Sequence, residues 1–378
     1  MGPLGLTFGL MVSQSSGSGP SSIGDGQKAG QIRVVALPSR PFIERRGGQQ
    51  LINFDLLVEN SAQKPYRLVC IRLMVYDRSG RLELERELNE NGRPPALDMV
   101  GERLLKPGGA IDIYQPFYSF GPEIDASRMR FELRFMEQAH SAPPVAITAD
   151  EISVIDVKPR AYYPSGYRLP VHGLVLVHDG HDFYSHHRRY NLVKRFQGGP
   201  DTALSANLYA YDLINVKEDG ALFQGDPTKR ENWLTYGAPI FAPAPGIVVE
   251  AVSDVAENTF AADGEAQIPA SAAAQDPLGL GNHLKILHSD GRVSWLLHLQ
   301  PGSVQIKAGA HVRSGQFLAR VGFSGDSLFP HLHFNVTDCA QYPSQGVPSY
   351  FKNFRRVLGS RTIPVLNGEI DTGDVIRE

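Results

Sequence analysis

The sequence contains very little cysteine, which excludes one class of fold at the outset. Cys70 and Cys339 are the only two cysteines among 378 residues, and they lie far apart in the chain. Secreted scaffolds that depend on disulfides are rich in cysteine, so this usage does not indicate a disulfide framework. We expect both residues to be buried free thiols, and the cellular compartment stays open on this evidence.

A strong excess of charge and a long apolar run are also missing. The formal net charge is -3 and the isoelectric point is near 6.5. Such a balance provides no electrostatic field for nucleic acid or an anionic membrane, so we expect no nucleic-acid partner. No apolar run approaches the ~20 residues that a helix needs to cross a bilayer. We therefore predict no membrane span.

Length and changes in composition predict two folded modules after a leader. A chain of 378 residues exceeds the size at which single cores stop growing, which favours about two domains. Residues 1–30 are rich in Gly, Ser and Pro, and we interpret them as a flexible leader or the remnant of an export signal that lacks a basic region. Residues 136–150 are rich in Ala and Pro and indicate a linker. The predicted modules are 31–150 and 151–378.

The first module consists of short runs of β type separated by turns. In the run CIRLMVYD, Ile71, Leu73 and Val75 occupy every second position, and a turn follows at Gly80. This alternation is typical of a half-buried strand. Several such strands predict an immunoglobulin-like β-sandwich. Acidic residues occur singly at strand edges and in turns, so we expect a binding or spacer module rather than a catalytic one.

The second module also has short strand-like runs, and it holds most of the histidine. Such runs begin at Gly173, Leu208 and Asn282, a hairpin is predicted over 236–252, and no long helical period occurs. The expected fold class is therefore mainly β, with a compact antiparallel sheet in residues 151–378. Only His140 of the 12 histidines lies before residue 170. Imidazole chemistry therefore belongs to the second module.

His331 and His333, in the run GDSLFPHLHF, are the first candidates for metal chemistry. Residues two apart on a strand point to the same face, so both imidazoles would enter one cleft. Histidine is the commonest metal ligand. Asp212 lies within an apolar run, where an unpaired carboxylate is costly and a metal would remove the cost.

The second module resembles the lysostaphin-type zinc peptidases. YGAPIFAPAPGIVVEA is similar to the family's G-x-P-V-x-A-x-x-x-G-x-V segment, and GNHLKILHSDGRVSWLLHLQ is similar to the strand pair that ends in His-Leu. KAGAHVRSGQFLARVGFSGDSLFPHLHFNV is similar to the family's closing segment. The resemblance implies a β-sheet cleft, a zinc cofactor and endopeptidase cleavage of peptidoglycan cross-links or stem peptides. It also implies a periplasmic or extracellular location and a first module that binds cell wall or protein.

The resemblance assigns roles to individual positions. His333 and Asp212 match metal ligands of the family, while His298 and His331 match its catalytic histidines. Catalytic zinc uses about three protein ligands and leaves one position for water, so one further ligand is required. Attack on a peptide carbonyl also needs groups that handle protons and stabilise the oxyanion, which histidines can do.

The third ligand is where the chain departs from the commoner family pattern. That pattern places a histidine four residues before the aspartate, and this chain has Leu208 there. The chain instead resembles a long-loop branch with a double histidine further upstream, which implies His187 as the ligand and His186 as the alternative. On extended backbone adjacent side chains face opposite sides, so only one of the two imidazoles should reach the metal.

Two other functions are compatible with parts of the sequence. A non-catalytic peptidase-like domain would bind the cell wall or activate another hydrolase, although such domains usually lack a zinc or catalytic position and all five are filled here. A cupin-type metal oxygenase shares the spacing from Gly325 to His331 and His333. Its motif continues with a Glu and a later His, whereas this chain has Asp338 and no histidine after His333.

The absence of a candidate site from the first module suggests a division of labour. We expect a fragment that begins near Pro159 to fold and to cleave soluble peptide without the first module. Cleavage of intact cell wall would then depend more strongly on the full chain.

Overall fold

The computed structural model describes residues 31–138, 149–163, 165–190, 206–341 and 343–378. The predicted leader and most of the predicted linker lie outside these residues. Within them the chain is nearly all β, which confirms the predicted fold class.

The helical elements described are α1 (Ala270–Gln275) and the 3-10 turns Ala96–Met99 and Arg230–Asn232. The strands are β1 (Ile32–Leu37), β2 (Phe42–Arg46), β3 (Gln49–Ile52), β4 (Asp55–Asn60), β5 (Tyr66–Tyr76), β6 (Leu82–Asn89), β7 (Leu104–Leu105), β8 (Ala110–Tyr114), β9 (Ser119–Phe120), β10 (Arg128–Glu137), β11 (Glu151–Val157), β12 (Arg160–Ala161), β13 (Gly166–Tyr167), β14 (Leu174–Asp179), β15 (Tyr211–Asn215), β16 (Pro239–Phe241), β17 (Gly246–Val252), β18 (Thr259–Phe260), β19 (Ala266–Gln267), β20 (Asn282–Leu287), β21 (Val293–Leu299), β22 (His311–Val312), β23 (Phe317–Arg320), β24 (Leu332–Thr337), β25 (Tyr350–Leu358), β26 (Arg361–Gly368) and β27 (Val375–Arg377).

Two sheets of the first module enclose a common apolar core. One sheet has the order β1-β4-β8 and the other has the order β11-β10-β5-β6, with β7 paired to β5. Leu56 and Ile113 from the first sheet join Ile71 and Phe131 from the second in one buried cluster. The period-two pattern of β5 produces this arrangement, because its alternate apolar side chains all point to the core. The immunoglobulin-like topology stays a prediction.

A small third sheet connects the first module to the rest of the chain. Its order is β12-β2-β3-β9, and β12 pairs with β2 in parallel. Strand β11 pairs along its whole length with β10. Both β11 and β12 therefore lie on the first module although they follow the predicted boundary at residue 150. The division into two domains stays a proposal, and we draw its boundary after β12.

The second module is built on one large sheet, which is antiparallel except where β13 pairs with β25. Its order is β13-β25-β27-β14-β15-β24-β21-β20-β17-β22, with β26 paired to β25. The neighbours β15, β24 and β21 lie near its middle. In their register, His333 of β24 is opposite Asp212 of β15 and opposite Leu297 of β21. Pairing thus brings residues that are distant in sequence to one place.

The hairpin predicted over 236–252 is wrong. Strand β16 pairs with β23, whereas β17 pairs with β20 and β22, so the two strands belong to different sheets. Pro243 and Pro245 lie between them and lack the N–H that a two-stranded ladder needs. The proline-rich connection therefore separates the strands rather than pairing them.

Both cysteines are free, as predicted, but only one of them is fully buried. Cys70 is buried within β5, and Cys339 is partly exposed after β24. Among the residues that the structure describes, no helix has the length and apolar character needed to cross a membrane.

Candidate metal and catalytic site

The five residues that the sequence nominates line one cavity of about 430 Å³. Strands β15, β24 and β21 supply Asp212, His333 and His298, respectively. His331 directly precedes β24, and His187 lies in a turn that follows β14. All five are at most 5% exposed. A cluster of this kind needs compensation, because buried titratable groups are costly unless they are paired or bind a metal.

Three imidazole nitrogens surround a single carboxylate oxygen. Asp212 Oδ1 lies 3.2 Å from His333 Nδ1, 3.2 Å from His331 Nε2 and 3.6 Å from His187 Nε2. One carboxylate oxygen offers about two lone pairs, so it does not accept three well-formed hydrogen bonds. Ligand atoms of a tetrahedral zinc site lie about 3.3 Å apart, given bonds of about 2.0–2.1 Å. The residues present therefore fit a zinc ion.

Three sets of side chains have the spacing of a metal site, with candidate ligand atoms within 4.8 Å of one another: His187, Asp212 and His333; His298, His331 and His333; and Asp179, His186 and His187. His333 belongs to the first two sets, and its Nε2 atom is buried without a hydrogen-bond partner. The first and third sets contain a carboxylate, whose negative charge stabilises a cation directly. Asp179 does not line the cavity and already accepts three hydrogen bonds, whereas Asp212 lines the cavity. Charge and position together therefore favour the first set.

The double histidine lies on a turn, contrary to the extended backbone that the sequence argument assumed. Residues 186–189 form this turn, and both imidazoles face the cavity. His186 Nε2 is 3.8 Å from Asp212 Oδ2, and its side chain is 57% exposed. His187 Nε2 is 3.6 Å from Asp212 Oδ1, and its side chain is 5% exposed. Burial, rather than backbone alternation, distinguishes the two candidates.

Asp179 holds this turn in place, and the sequence analysis missed it. Its carboxylate accepts hydrogen bonds from the Ser185 hydroxyl at 2.7 Å and from the backbone N–H groups of His186 at 2.9 Å and His187 at 3.1 Å. The Nδ1 atoms of the two imidazoles lie 3.2 Å and 2.5 Å from its oxygens as ion-pair contacts. Burial opposes ionisation, but the bonds from both histidines hold the pKa of Asp179 below its usual value.

A carboxylate behind a metal-binding histidine fixes the tautomer and the direction of its ring. With Nδ1 of His187 facing Asp179, the Nε2 lone pair is directed at the cavity. One sequence signal could have identified Asp179: it ends the apolar strand LVLVHD directly before the histidine-rich loop.

A backbone carbonyl orients the imidazole ring of His298, and another orients that of His331. His298 Nδ1 lies 2.9 Å from the Ser324 carbonyl, and His331 Nδ1 lies 2.8 Å from the Phe329 carbonyl. A carbonyl only accepts, so Nδ1–H donates in both cases and Nε2 is turned to the cavity, where that of His331 faces Asp212 Oδ1 at 3.2 Å. His298 also has a φ of 63°. This left-handed backbone conformation is unfavourable for a residue other than glycine, and such strain concentrates at functional sites.

The charges of the cluster set its protonation. Burial opposes ionisation of Asp212, but the charges of His331 and His187 hold the pKa of its carboxyl well below the usual value. Burial lowers the pKa of His333 to about 4. Burial and the neighbouring imidazoles lower the pKa of His298 well below its usual value. Burial opposes protonation of His331, yet the Asp212 carboxylate raises its pKa. Neutral His298 and His333 at pH 7 are available as ligands or bases.

One further histidine lines the cavity without having been nominated. His178 is exposed at the cavity wall and contacts the edge of the Phe329 ring, with 4.9 Å between ring centroids. The apolar part of the wall includes Leu278 and Leu328, which are 43% and 67% exposed. The cavity thus has a polar floor of imidazoles and a partly apolar rim, a combination common in substrate sites.

Comparison with known proteins identifies the family of this region. Residues 233–344 match the model of peptidase family M23, and the match includes His298, His331 and His333 but not His187 or Asp212. No curated protein matches the chain. The catalytic domain of lysostaphin from Staphylococcus simulans is 22% identical, with 34% of this chain and 86% of that chain covered and a TM-score of 0.20. Pseudoalterin, an M23 metalloprotease from the deep sea, is 15% identical, with 53% of this chain and 98% of that chain covered and a TM-score of 0.27.

The match to the family model confirms the resemblance of the sequence motifs to lysostaphin-type peptidases. The cupin alternative is set aside, because the histidines on which it depended lie inside that match. Residues 233–344 of this chain are thus those that match peptidase family M23.

Proposed function

We propose that this protein is a zinc-dependent endopeptidase that hydrolyses peptide bonds in peptidoglycan cross-links or stem peptides. One observation carries the proposal: the imidazoles of His187 and His333 and the carboxylate of Asp212 converge in the cavity at the spacing of zinc ligands. The family match supports the class of reaction. The family resemblance also supports peptidoglycan as the substrate and a periplasmic or extracellular location.

His187 Nε2, Asp212 Oδ1 and His333 Nδ1 would hold the zinc ion. Zinc, when bound, acidifies water to a pKa of ~7 and polarises a carbonyl oxygen. The donor set suits zinc, since neutral imidazoles and a carboxylate are its usual ligands. Burial keeps His333 neutral, with a pKa of about 4, so its lone pair remains available at pH 7. Asp179 directs His187 toward the same point.

His298 and His331 would handle the protons of the reaction. Each has its Nδ1–H committed to a backbone carbonyl, so each turns Nε2 to the cavity. A neutral Nε2 accepts a proton from the attacking water, and a protonated Nε2 donates to the developing oxyanion or to the departing amine. The raised pKa of His331 and the lowered pKa of His298 suit one donor and one acceptor. Pairs whose environments separate their pKa values commonly divide acid and base roles.

The non-catalytic alternative has no observation in its favour. A domain that only bound the cell wall or activated another hydrolase would not need two oriented imidazoles beside a complete ligand set. All five positions are filled and face one cavity. The first module remains the candidate for binding cell wall or protein.

Zinc analysis combined with digestion of peptidoglycan tests the proposal. The wild-type chain should contain about one zinc per chain and release peptides with new amino termini, which mass spectrometry identifies. Asp212→Ala should contain no zinc, because the charged ligand is lost. Full zinc occupancy in Asp212→Ala would contradict the ligand assignment, and a zinc-loaded wild-type chain that releases no peptide would favour the non-catalytic alternative.

A further inference from the structure

The turn that carries the double histidine is packed against the first module. Arg188 follows His187, and its side chain is fully buried. The Arg188 guanidinium donates to the Asp55 carboxylate at 2.7 Å and to the Phe54 carbonyl at 2.9 Å. Its Nε atom also donates to the Asn53 side chain at 3.3 Å. All of these partners belong to the first module, whereas His187 faces the cavity of the second.

Two other side chains of the first module contact the chain just before the turn and at its last residue. The Phe183 ring stacks on Tyr118, with centroids 4.0 Å apart and an angle of 10° between the planes. The Tyr114 hydroxyl donates to the Arg189 carbonyl. Contacts therefore precede and follow His187 along the chain. Ordering a turn costs backbone conformational entropy, and a turn has few hydrogen bonds of its own to offset that cost. Contacts with neighbouring side chains therefore hold it in one conformation.

The first module also reaches the strand that bears Asp212. The Tyr211 hydroxyl donates to the Ser349 carbonyl at 2.7 Å, so His181 Nδ1, 2.6 Å from that hydroxyl, is the donor in their contact. His181 Nε2 lies 3.3 Å from Oε2 of the Glu44 carboxylate, although neither atom has a hydrogen-bond partner. Glu44 and His181 are both buried. Tyr211, the residue next to Asp212, thus hydrogen-bonds to a side chain that packs beside Glu44 of the first module.

We propose that the first module is a structural part of the metal site, in which Asp55 anchors Arg188 and Arg188 positions His187 as a zinc ligand. The inference rests on the proposed function for the identity of the ligand. It makes Arg188 and Asp55 positioning residues, since neither lines the cavity. The guanidinium suits this role because it donates to three different acceptors, and its planar fork fixes direction as well as distance. The expectation that a fragment beginning near Pro159 works alone conflicts with these contacts.

Asp55→Asn in the full chain tests the inference, because it removes the charge and retains the shape. We expect zinc to bind about tenfold more weakly, as is typical when support behind a ligand is lost. We also expect faster hydrogen exchange at the backbone amides of 185–189 in the chain without added zinc. Asp156→Asn is the matched control, since Asp156 pairs with Arg128 and Arg130 on the solvent side of the same module. It should change neither readout.

A second variant covers the case in which Asp55→Asn fails to fold. Asp55→Leu combined with Arg188→Met replaces a buried ion pair by apolar side chains, a change that proteins often tolerate. The double variant, if it folds, should still bind zinc more weakly than the wild type and show faster amide hydrogen exchange at 185–189. Unchanged exchange and a zinc dissociation constant within about twofold of wild type would overturn the proposal, and so would faster exchange spread over both modules. The exchange readout needs no metal, so a wild-type chain that binds no zinc would contradict the proposed function alone.

Discussion

At the scale of single residues, the roles of the imidazoles depend on which nitrogen each directs to the cavity. His298 and His331 commit Nδ1 to backbone carbonyls, and neither is needed to complete the set of His187, Asp212 and His333. We predict that His298→Ala and His331→Ala retain about one zinc per chain. Cleavage should fall by ~10²–10⁴-fold, the usual contribution of general acid–base catalysis. Parallel measurement of zinc content and peptidoglycan turnover checks both parts.

The same two variants distinguish the ligand set that contains Asp212 from the set of three histidines. Loss of zinc from both would indicate that the metal lies among His298, His331 and His333 instead. Near-normal turnover in either variant would show that its imidazole has no catalytic role.

The two adjacent histidines are predicted to differ in importance. His187 is almost fully buried beside Asp212 and Asp179, whereas the His186 side chain is 57% exposed. His187→Ala should abolish zinc binding, because it removes a ligand. His186→Ala should weaken binding by only ~10–100-fold, the usual effect of a supporting group. Zinc titrations of both variants make the comparison, and the assignment is reversed if only His187→Ala retains the metal.

The sequence could nominate these residues but could not fix their surroundings. His331 and His333 were visible as a pair on one strand, and the apolar run around Asp212 marked a costly carboxylate. The sequence could not show that a turn, rather than a strand, carries His186 and His187. That turn depends on Asp179, whose bonds form only after the loop closes on it.

At the scale of elements, the segment from Asp179 to Arg189, which ends in the turn at 186–189, contains no strand or helix after Asp179. Asp179 accepts three hydrogen bonds from it and contacts both imidazoles. We predict that Asp179→Asn weakens zinc affinity by ~10–100-fold while the ligands remain in place. Isothermal titration with zinc measures the change.

Asp182→Asn provides the control for that experiment. Asp182 lies in the same segment, between Asp179 and the turn, and accepts a hydrogen bond from the Thr372 backbone N–H rather than from a histidine. It should bind zinc like the wild type. Equal losses in both variants would mean that any disturbance of the turn weakens the site, and that Asp179 has no specific role.

Sequence patterns predicted strands better than the pairing between strands. The runs that became β5, β15 and β24 were recognisable from alternation or apolar content, because burial of one or both faces of a strand imposes that pattern. The hairpin from β16 to β17 was wrong, since pairing is decided by which strand lies opposite in the folded sheet. Local sequence does not encode that choice, and the prolines between the strands were the available warning.

At the scale of the whole molecule, zinc should stabilise the fold, because the ligands come from separate segments that unfolding disperses. A ligand that binds only the folded state adds about 4 kcal/mol at a free concentration of 1,000 times its dissociation constant. We predict a rise of several degrees in the thermal midpoint on zinc addition and its reversal by a chelator. Differential scanning calorimetry of wild type and Asp212→Ala checks this. An equal rise in the variant would place the stabilising metal elsewhere.

The relation between the modules was beyond prediction from the sequence. Composition indicated a linker between two modules, and the absence of catalytic residues suggested an independent first module. Arg188 nevertheless pairs with Asp55, 133 residues earlier, and is buried in doing so. An arginine beside a double histidine gives no local sign of such a distant partner.

We propose that the protein cleaves peptidoglycan peptides with one zinc ion bound at this site. Turnover of purified peptidoglycan by metal-stripped protein, measured as zinc is added in stoichiometric steps, tests this directly. Turnover should be absent without zinc, rise with each addition and reach its plateau at about one equivalent per chain. Turnover that is independent of zinc, or a protein that takes up one equivalent and cleaves nothing, would contradict the proposal.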